Sequence, residues 1–221
     1  MSATEGASSG TAAKRASRRG CKRFSCGRAR FWVNQAGSYH PEGGRDMARY
    51  DQQSGECLVF TFKEGLLSAV AHDLKLRVGR WELRRDGDGA IEGSFDPDSL
   101  TVVCAMRDGN PSTGTISARD TAKIEANIKS DVLAATRHRE IRFRSTRVTA
   151  EGEGYAVEGE LTLVGRSRPV SARVTRAGAQ LVTEVRLNQP DFGIKPFSAM
   201  FGTLKIQPHV IVRLTVPVES A

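Results

Sequence analysis

The side chains best able to do chemistry here are four histidines and four cysteines, and their spacing narrows what they can do. His40, His72, His138 and His209 are scattered, so no two stand at metal-ligand spacing. Cys21 and Cys26 lie close together but have no second pair and no neighbouring histidine, which makes a zinc site unsupported. Cys57 and Cys104 fall in or beside apolar strand patterns and read as small buried thiols of a reducing compartment. There is no phosphate-binding loop, and no nucleophile, base and orienting acid come together. Asp73 follows His72 directly, but neighbours on a strand point to opposite faces and cannot form a dyad. His72 therefore has two readings. It is either a polar contact for a ligand head group at the mouth of a cavity, or a hydrogen-bonded histidine at a strand end.

The elements that would position His72 are strands. It shares a parity with Leu74, Leu76 and Val78, while Asp73, Lys75 and Arg77 take the other face. The same period of two runs through Leu58, Phe60 and Phe62, through Trp81 and Leu83, through Ile91, Gly93 and Phe95, and through Leu100, Val102, Cys104 and Met106. It resumes at Ile141, Phe143 and Ser145, then at Tyr155, Val157, Gly159, Leu161 and Leu163, and continues to Val216. Such runs, bounded by Gly, Pro and Asp, are half-buried strands. One segment breaks the pattern. Ile124, Ile128 and Val132 stand four apart, which predicts an amphipathic helix of about four turns capped by Asp120 or Thr121. Eight to ten strands with polar outer faces and frequent turns indicate an antiparallel sandwich or barrel rather than a parallel sheet. Eight strands can close around one small ligand.

Two further features bear on binding. Phe192, Ile194, Phe197, Met200 and Phe201 crowd one late loop, either as an adaptable lid over an apolar ligand or as a plug for one end. Arg142, Arg144 and Arg147 resemble a phosphate patch, but Glu158 and Glu160 on the next strand favour cross-strand ion pairs.

Charge separates the chain into two parts. Of the formal +8, the first 46 residues hold nine Lys/Arg against three Asp/Glu, or +6, which leaves 24 against 22, or +2, for the rest. Residues 1–49 are rich in Ser, Ala, Gly and Arg without a sustained period, and are expected to be a disordered basic segment ahead of a domain over 50–219. An alternative start at Met47 would leave most of this head untranslated. No run reaches the roughly 18 apolar residues of a membrane span, and Arg18-Arg19 is not followed by an apolar region. A cytoplasmic protein is expected.

From Leu58 onward the chain resembles the YceI-like domain family. Phe60-Thr-Phe-Lys followed by Ala71-His-Asp-Leu-Lys-Leu looks like its opening strand pair with the histidine, and Ile91-Glu-Gly-Ser-Phe-Asp like the next strand. Ile124-Glu-Ala-Asn-Ile-Lys-Ser-Asp-Val-Leu with Ile141-Arg-Phe-Arg-Ser-Thr looks like its helix and following strand. Val157-Glu-Gly-Glu-Leu-Thr-Leu-Val-Gly-Arg-Ser-Arg-Pro-Val looks like its hairpin, and Asp191-Phe-Gly-Ile precedes the last strands as in the family. Gln189-Pro190 stands where the family pattern has an Arg, and Arg137-His-Arg-Glu where it has an aromatic-Pro step.

The resemblance implies an all-β fold: an extended antiparallel eight-stranded lipocalin-like β-barrel with one inserted amphipathic helix, whose tunnel takes an isoprenoid or quinone-like lipid. The residues expected to line the ligand are Phe60, Phe62, His72, Leu74, Leu76, Trp81, Phe143, Leu161, Phe192, Phe197, Met200 and Phe201. The expected role is a non-catalytic carrier or sensor. No metal or cofactor is expected beyond the bound lipid, and no specific nucleic-acid partner. A homodimer is compatible with the sequence, though no particular surface calls for one. Two other readings stay open: a small enzyme using His72 as acid or base, and a solid-core barrel used for protein interaction.

Overall fold

The computed structural model describes residues 47–64, 72–199 and 204–218. Its strands are β1 (Ala48–Asp51), β2 (Glu56–Glu64), β3 (Asp73–Val78), β4 (Trp81–Arg85), β5 (Ile91–Phe95), β6 (Leu100–Arg107), β7 (Asn110–Ser112), β8 (Ile141–Glu151), β9 (Gly154–Leu163), β10 (Arg166–Ala177), β11 (Gln180–Asn188), β12 (Ser198–Ala199) and β13 (Leu204–Pro217). One helix, α1 (Ala118–Asn127), continues into a π-helical turn at Ile128–Val132. The fold is all-β with one short helix, built on a curled antiparallel sheet. Its hydrogen-bonded order is β1-β4-β5-β8-β9-β10-β11-β13-β2-β3-β6-β7, with β12 added beside β13. The first strand begins at Ala48, inside the segment expected to be head. Among the described residues no helix is long and apolar enough to cross a membrane.

The strand count is thirteen among the described residues where eight were expected, because kinks divide runs that the alternation leaves whole. The ladder Asp73↔Met106 to Val78↔Leu100 resumes as Trp81↔Phe95 to Arg85↔Ile91. At the bend the Gly79 N–H donates to the Ser99 carbonyl (3.1 Å), and the Asp96 N–H donates to the Arg80 carbonyl (3.0 Å). A Cβ at 79 would stand 3.0 Å from that Ser99 oxygen, so any other residue would crowd the bend. Between the two ladders, Asp96 caps a 3₁₀ turn at Pro97–Ser99.

Two expected faces are reversed. In β2 the register Val59↔Leu76 and Thr61↔Leu74 puts Val59 and Thr61 on the inner face, and Phe60 and Phe62 outside. The Phe60 ring lies under the Arg213 guanidinium (5.2 Å), and Phe62 stacks on His209 (5.4 Å). Glu-Cys-Leu-Val-Phe-Thr-Phe has apolar residues at both parities, and bulk alone points to the wrong one. In β6 a register shift opposite Lys75/Leu76 turns the strand over, so Ala105 is buried while Cys104 and Met106 pair with Lys75 and Asp73 on the outer face. A bulge of this kind resets the alternation partway along a strand.

The helix starts one turn earlier than its expected caps. The Ser117 hydroxyl accepts from the Asp120 N–H (3.1 Å), and Asp120 itself lies in the first turn. No residue of α1 is fully buried, yet Ile124 and Ile128 pack on the sheet. Glu125 Oε1 accepts from the Val102 N–H (2.7 Å), supplying the partner that β7 is too short to offer β6 there. Two apolar clusters form the core. One gathers Tyr50, Leu74, Leu76, Trp81 and Val216, and the other Leu161, Leu163, Phe192 and Ile194.

On the outer wall Arg144 faces Glu160 in register but pairs with Glu92 (2.8 Å), and Arg142 pairs with Glu140 (2.6 Å). The expected pairing with Glu158 and Glu160 is thus displaced by Glu92 on the strand across β8 and by Glu140 just ahead of β8.

Candidate functional site

The concave face of the sheet and the inner flank of α1 enclose a cavity of about 760 Å³. Its sheet wall follows from strand parity. Leu74, Leu76 and Val78 come from β3, Phe143 from β8, Leu161 from β9, Val170 and Val174 from β10, Val185 and Leu187 from β11, and Val210 and Val212 from β13. The helix contributes Ile124 and Ile128, with Asp120, Lys123 and Asn127 along its edge. A space of this size and character lies within the range of small-ligand sites, roughly 300–1,000 Å³ with mainly apolar walls. It excludes the solid-core reading.

Of the residues expected at the site, His72, Leu74, Leu76, Phe143, Leu161 and Phe197 do line the cavity. Four others are placed elsewhere. Phe60 and Phe62 face outward for the reason given above. Trp81 is buried in the first core cluster and stacks near Phe95 (6.4 Å between centroids), closing the interior without lining it. Phe192 is buried among Leu161, Leu163 and Ile194, so it plugs one end, whereas Ile194 and Phe197 of the same loop do line the cavity. Met200 and Phe201 lie outside the described residues.

Sequence reasoning missed the polar and small lining residues. Cys57, Val59 and Thr61 take the place expected for the phenylalanines. The Thr61 hydroxyl oxygen is buried and without a hydrogen-bond partner. Burial, with Glu56 adding to it, pushes the Cys57 thiol up to about 12, so it stays protonated and unreactive at neutral pH. Gln189 also lines the cavity and is held from behind, its Nε2 donating to the Gln207 carbonyl (3.1 Å). Gln207 in turn donates to the Lys63 carbonyl (3.0 Å), which ties the loop after β11 to the end of β2. His72 sits two residues before Leu74, on the face of Thr61, so the polar groups His72, Thr61 and Gln189 gather toward one end of the sheet wall, apart from Asp120, Lys123 and Asn127 on the helix edge. Among the described residues, no group of three or more His, Cys, Asp or Glu side chains could hold a metal ion.

The family model of the YceI-like domain matches residues 59–218. The chain belongs to the YceI-like domain family. The YceI-like span begins within β2 and covers every strand from β3 to β13, together with α1, so the whole cavity wall except Cys57 falls inside it. BcnA of Burkholderia cenocepacia shares the fold: the TM-score is 0.50 at 15% identity, over 74% of this chain and 96% of that one. A polyisoprenoid binding domain from Saccharophagus degradans, implicated in plant cell wall breakdown, aligns with a TM-score of 0.48 at 11% identity, over 78% and 98% of the two chains. No curated protein is similar enough in sequence to count as a match.

Proposed function

We propose that the chain binds an apolar-chain lipid, polyisoprenoid or quinone-like, inside the cavity and serves as a non-catalytic carrier or sensor. The cavity itself carries this reading: about 760 Å³, walled by aliphatic side chains from nearly every long strand. It is some five times the ~150 Å³ apolar cavity that stays dry and takes up benzene. Each 100 Å² of tail surface withdrawn from water there contributes about 2.5 kcal/mol before the costs of association. Family membership supports the same reading. In this account the binding domain starts with β1 at Ala48, two residues before the expected boundary at 50, and the segment ahead of it is the basic head. If β1–β2, β3–β4 and β5–β6 each count as one kinked strand and the short β7 and β12 are set aside, eight strands surround the ligand.

Native mass spectrometry of the full chain, before and after incubation with a prenylquinone, tests the proposal. A one-to-one adduct is expected. A protein that takes up neither prenylquinone nor polyprenol refutes it.

A further inference from the structure

The end of the sheet at the polar side of the cavity is ringed by cations that make no ion pair among the described residues, and their placement is fixed by contacts between four loops. The β9–β10 turn touches the loop after α1, since a Cβ at Gly165 would lie 3.1 Å from the His138 ring. On its other side the Arg166 guanidinium lies against Gly193 in the loop after β11, 2.6 Å from a Cβ placed there. Arg168 Nε donates to the Asp191 carbonyl (3.0 Å) in that loop. The same loop reaches β13, where the Ile206 N–H donates to the Phe197 carbonyl (3.1 Å), and β13 pairs Lys205 with Glu64 and Ile206 with Lys63.

These contacts gather Arg137, Arg139, Arg166, Lys195, Lys205 and Lys63 at one end, all exposed and none in an ion pair among the described residues. With Arg107 and Arg168 the count is eight cations against Glu64, Asp73, Asp108, Glu140 and Asp191, a difference of +3. Three of those carboxylates are engaged, Asp73 by the Lys63 N–H (2.7 Å). The Ser94 hydroxyl and the Arg142 guanidinium hold Glu140, and the Asn188 amide donates to Asp191. The turns at the opposite end carry Asp86, Asp88, Glu151 and Glu153 against Arg85, Arg173 and Arg176, with Glu151 paired to Arg173 (3.1 Å), and two of these turns meet where Arg85 lies over the Tyr155 ring (5.9 Å). The domain is therefore a charge dipole whose positive end is the end with His72 and Gln189.

We infer that this basic end docks on an anionic phospholipid surface. The fit is one of charge: dispersed, exposed Lys and Arg on loop tips suit a diffuse layer of phosphates, which attracts each nearby basic residue by about 1 kcal/mol, a factor of about five in affinity. The acidic turns at the far end are repelled by the same surface, so the domain arrives with the polar side of its cavity toward the lipid. This docking gives the carrier proposed above a place to exchange ligand, and only its purpose rests on that reading.

Sedimentation of the full chain with vesicles tests it. Vesicles of phosphatidylcholine alone should bind little, and an equal mixture with phosphatidylglycerol should bind strongly at low salt. Combined Arg137→Glu, Arg139→Glu, Lys195→Glu and Lys205→Glu should weaken binding by more than about a hundredfold. Arg84→Glu with Arg173→Glu, toward the opposite end of the sheet, should have a much smaller effect. Thermal unfolding of each variant checks that it is folded. If one set fails to fold, the paired variants Arg137→Glu/Arg139→Glu and Lys195→Glu/Lys205→Glu each report by themselves. Equal binding to neutral vesicles would overturn the inference. So would binding that survives these changes but is lost when Arg15, Arg18, Arg19 and Arg23 of the head are neutralised, and so would retention by duplex DNA without retention by vesicles. Docking that persists in a protein unable to take up prenylquinone would refute the cavity reading and leave the surface intact.

Discussion

The ring of Phe143 lies over Gly159 so closely that a Cβ added at 159 would stand 2.5 Å from its Cζ atom. The same Cβ would stand 2.5 Å from the Arg144 carbonyl oxygen. The glycine thus makes room for an aromatic ring that forms part of the cavity wall, on strands β8 and β9 that pair Ser145 with Gly159. Gly159→Val is expected to destabilise the fold by about 2–3 kcal/mol through overpacking, measured by urea unfolding. Phe143→Ala combined with Gly159→Ala should relieve the clash with the ring, though not the one with the Arg144 carbonyl oxygen, while enlarging the cavity. If Gly159→Val is as stable as the parent, the close approach has been misread.

Strand parity makes a sharper test of the site. Val185 and Val212 face each other across β11 and β13, and both line the cavity. Replacing both by Phe fills empty space, so the protein should stay folded while prenylquinone uptake falls by at least about tenfold. Phe60→Ala should leave uptake unchanged, because that ring lies outside under Arg213. The opposite pattern of fluorescence-quenching titrations would place the ligand outside the curled sheet.

Thr61 bears an unpartnered buried hydroxyl on the cavity wall. Thr61→Val removes it at nearly constant shape and should stabilise the ligand-free protein by about 1 kcal/mol. Differential scanning calorimetry reads this directly. A lower melting temperature would mean that the hydroxyl has a partner, such as an enclosed water.

Burial, with the Glu56 charge adding to it, pushes the Cys57 thiol up to about 12 in the fold, against 9.0 for an exposed thiol. Because the folded value is raised, this contribution to stability is complete below pH 9 and is lost as the pH climbs toward 12. Within that window stability should fall by up to about 1.4 kcal/mol per pH unit more than in Cys57→Ala. Paired denaturant titrations of the two proteins isolate the difference from other titrating groups. Alkylation of Cys57 by iodoacetamide at pH 8 should likewise be far slower in the folded chain than in urea.

Much of the fold was legible because half-buried strands leave a period of two and one helix a period of four. Leu74, Leu76, Phe143 and Leu161 were placed correctly on that basis, and His72 with them. The signal failed where both parities are apolar, as in β2, and where a bulge resets the alternation, as at Cys104 in β6. Trp81 and Phe192 were legible as buried but not as plugs, since burial within a cluster and burial against a cavity leave the same trace in a sequence. The ring of cations was illegible for a different reason. Arg137, Arg166, Lys195 and Lys205 are far apart in the chain, and only loop contacts make them neighbours.

By itself, then, the sequence determined that this is an antiparallel β protein with an apolar interior, one helix and a basic head, because alternation and composition are local properties. Only the tertiary structure decided which face of β2 points inward, that the interior is a cavity and not a packed core, and where the cations collect. Those depend on pairing register, on bends such as Gly79, and on contacts between loops, none of which has a local signature.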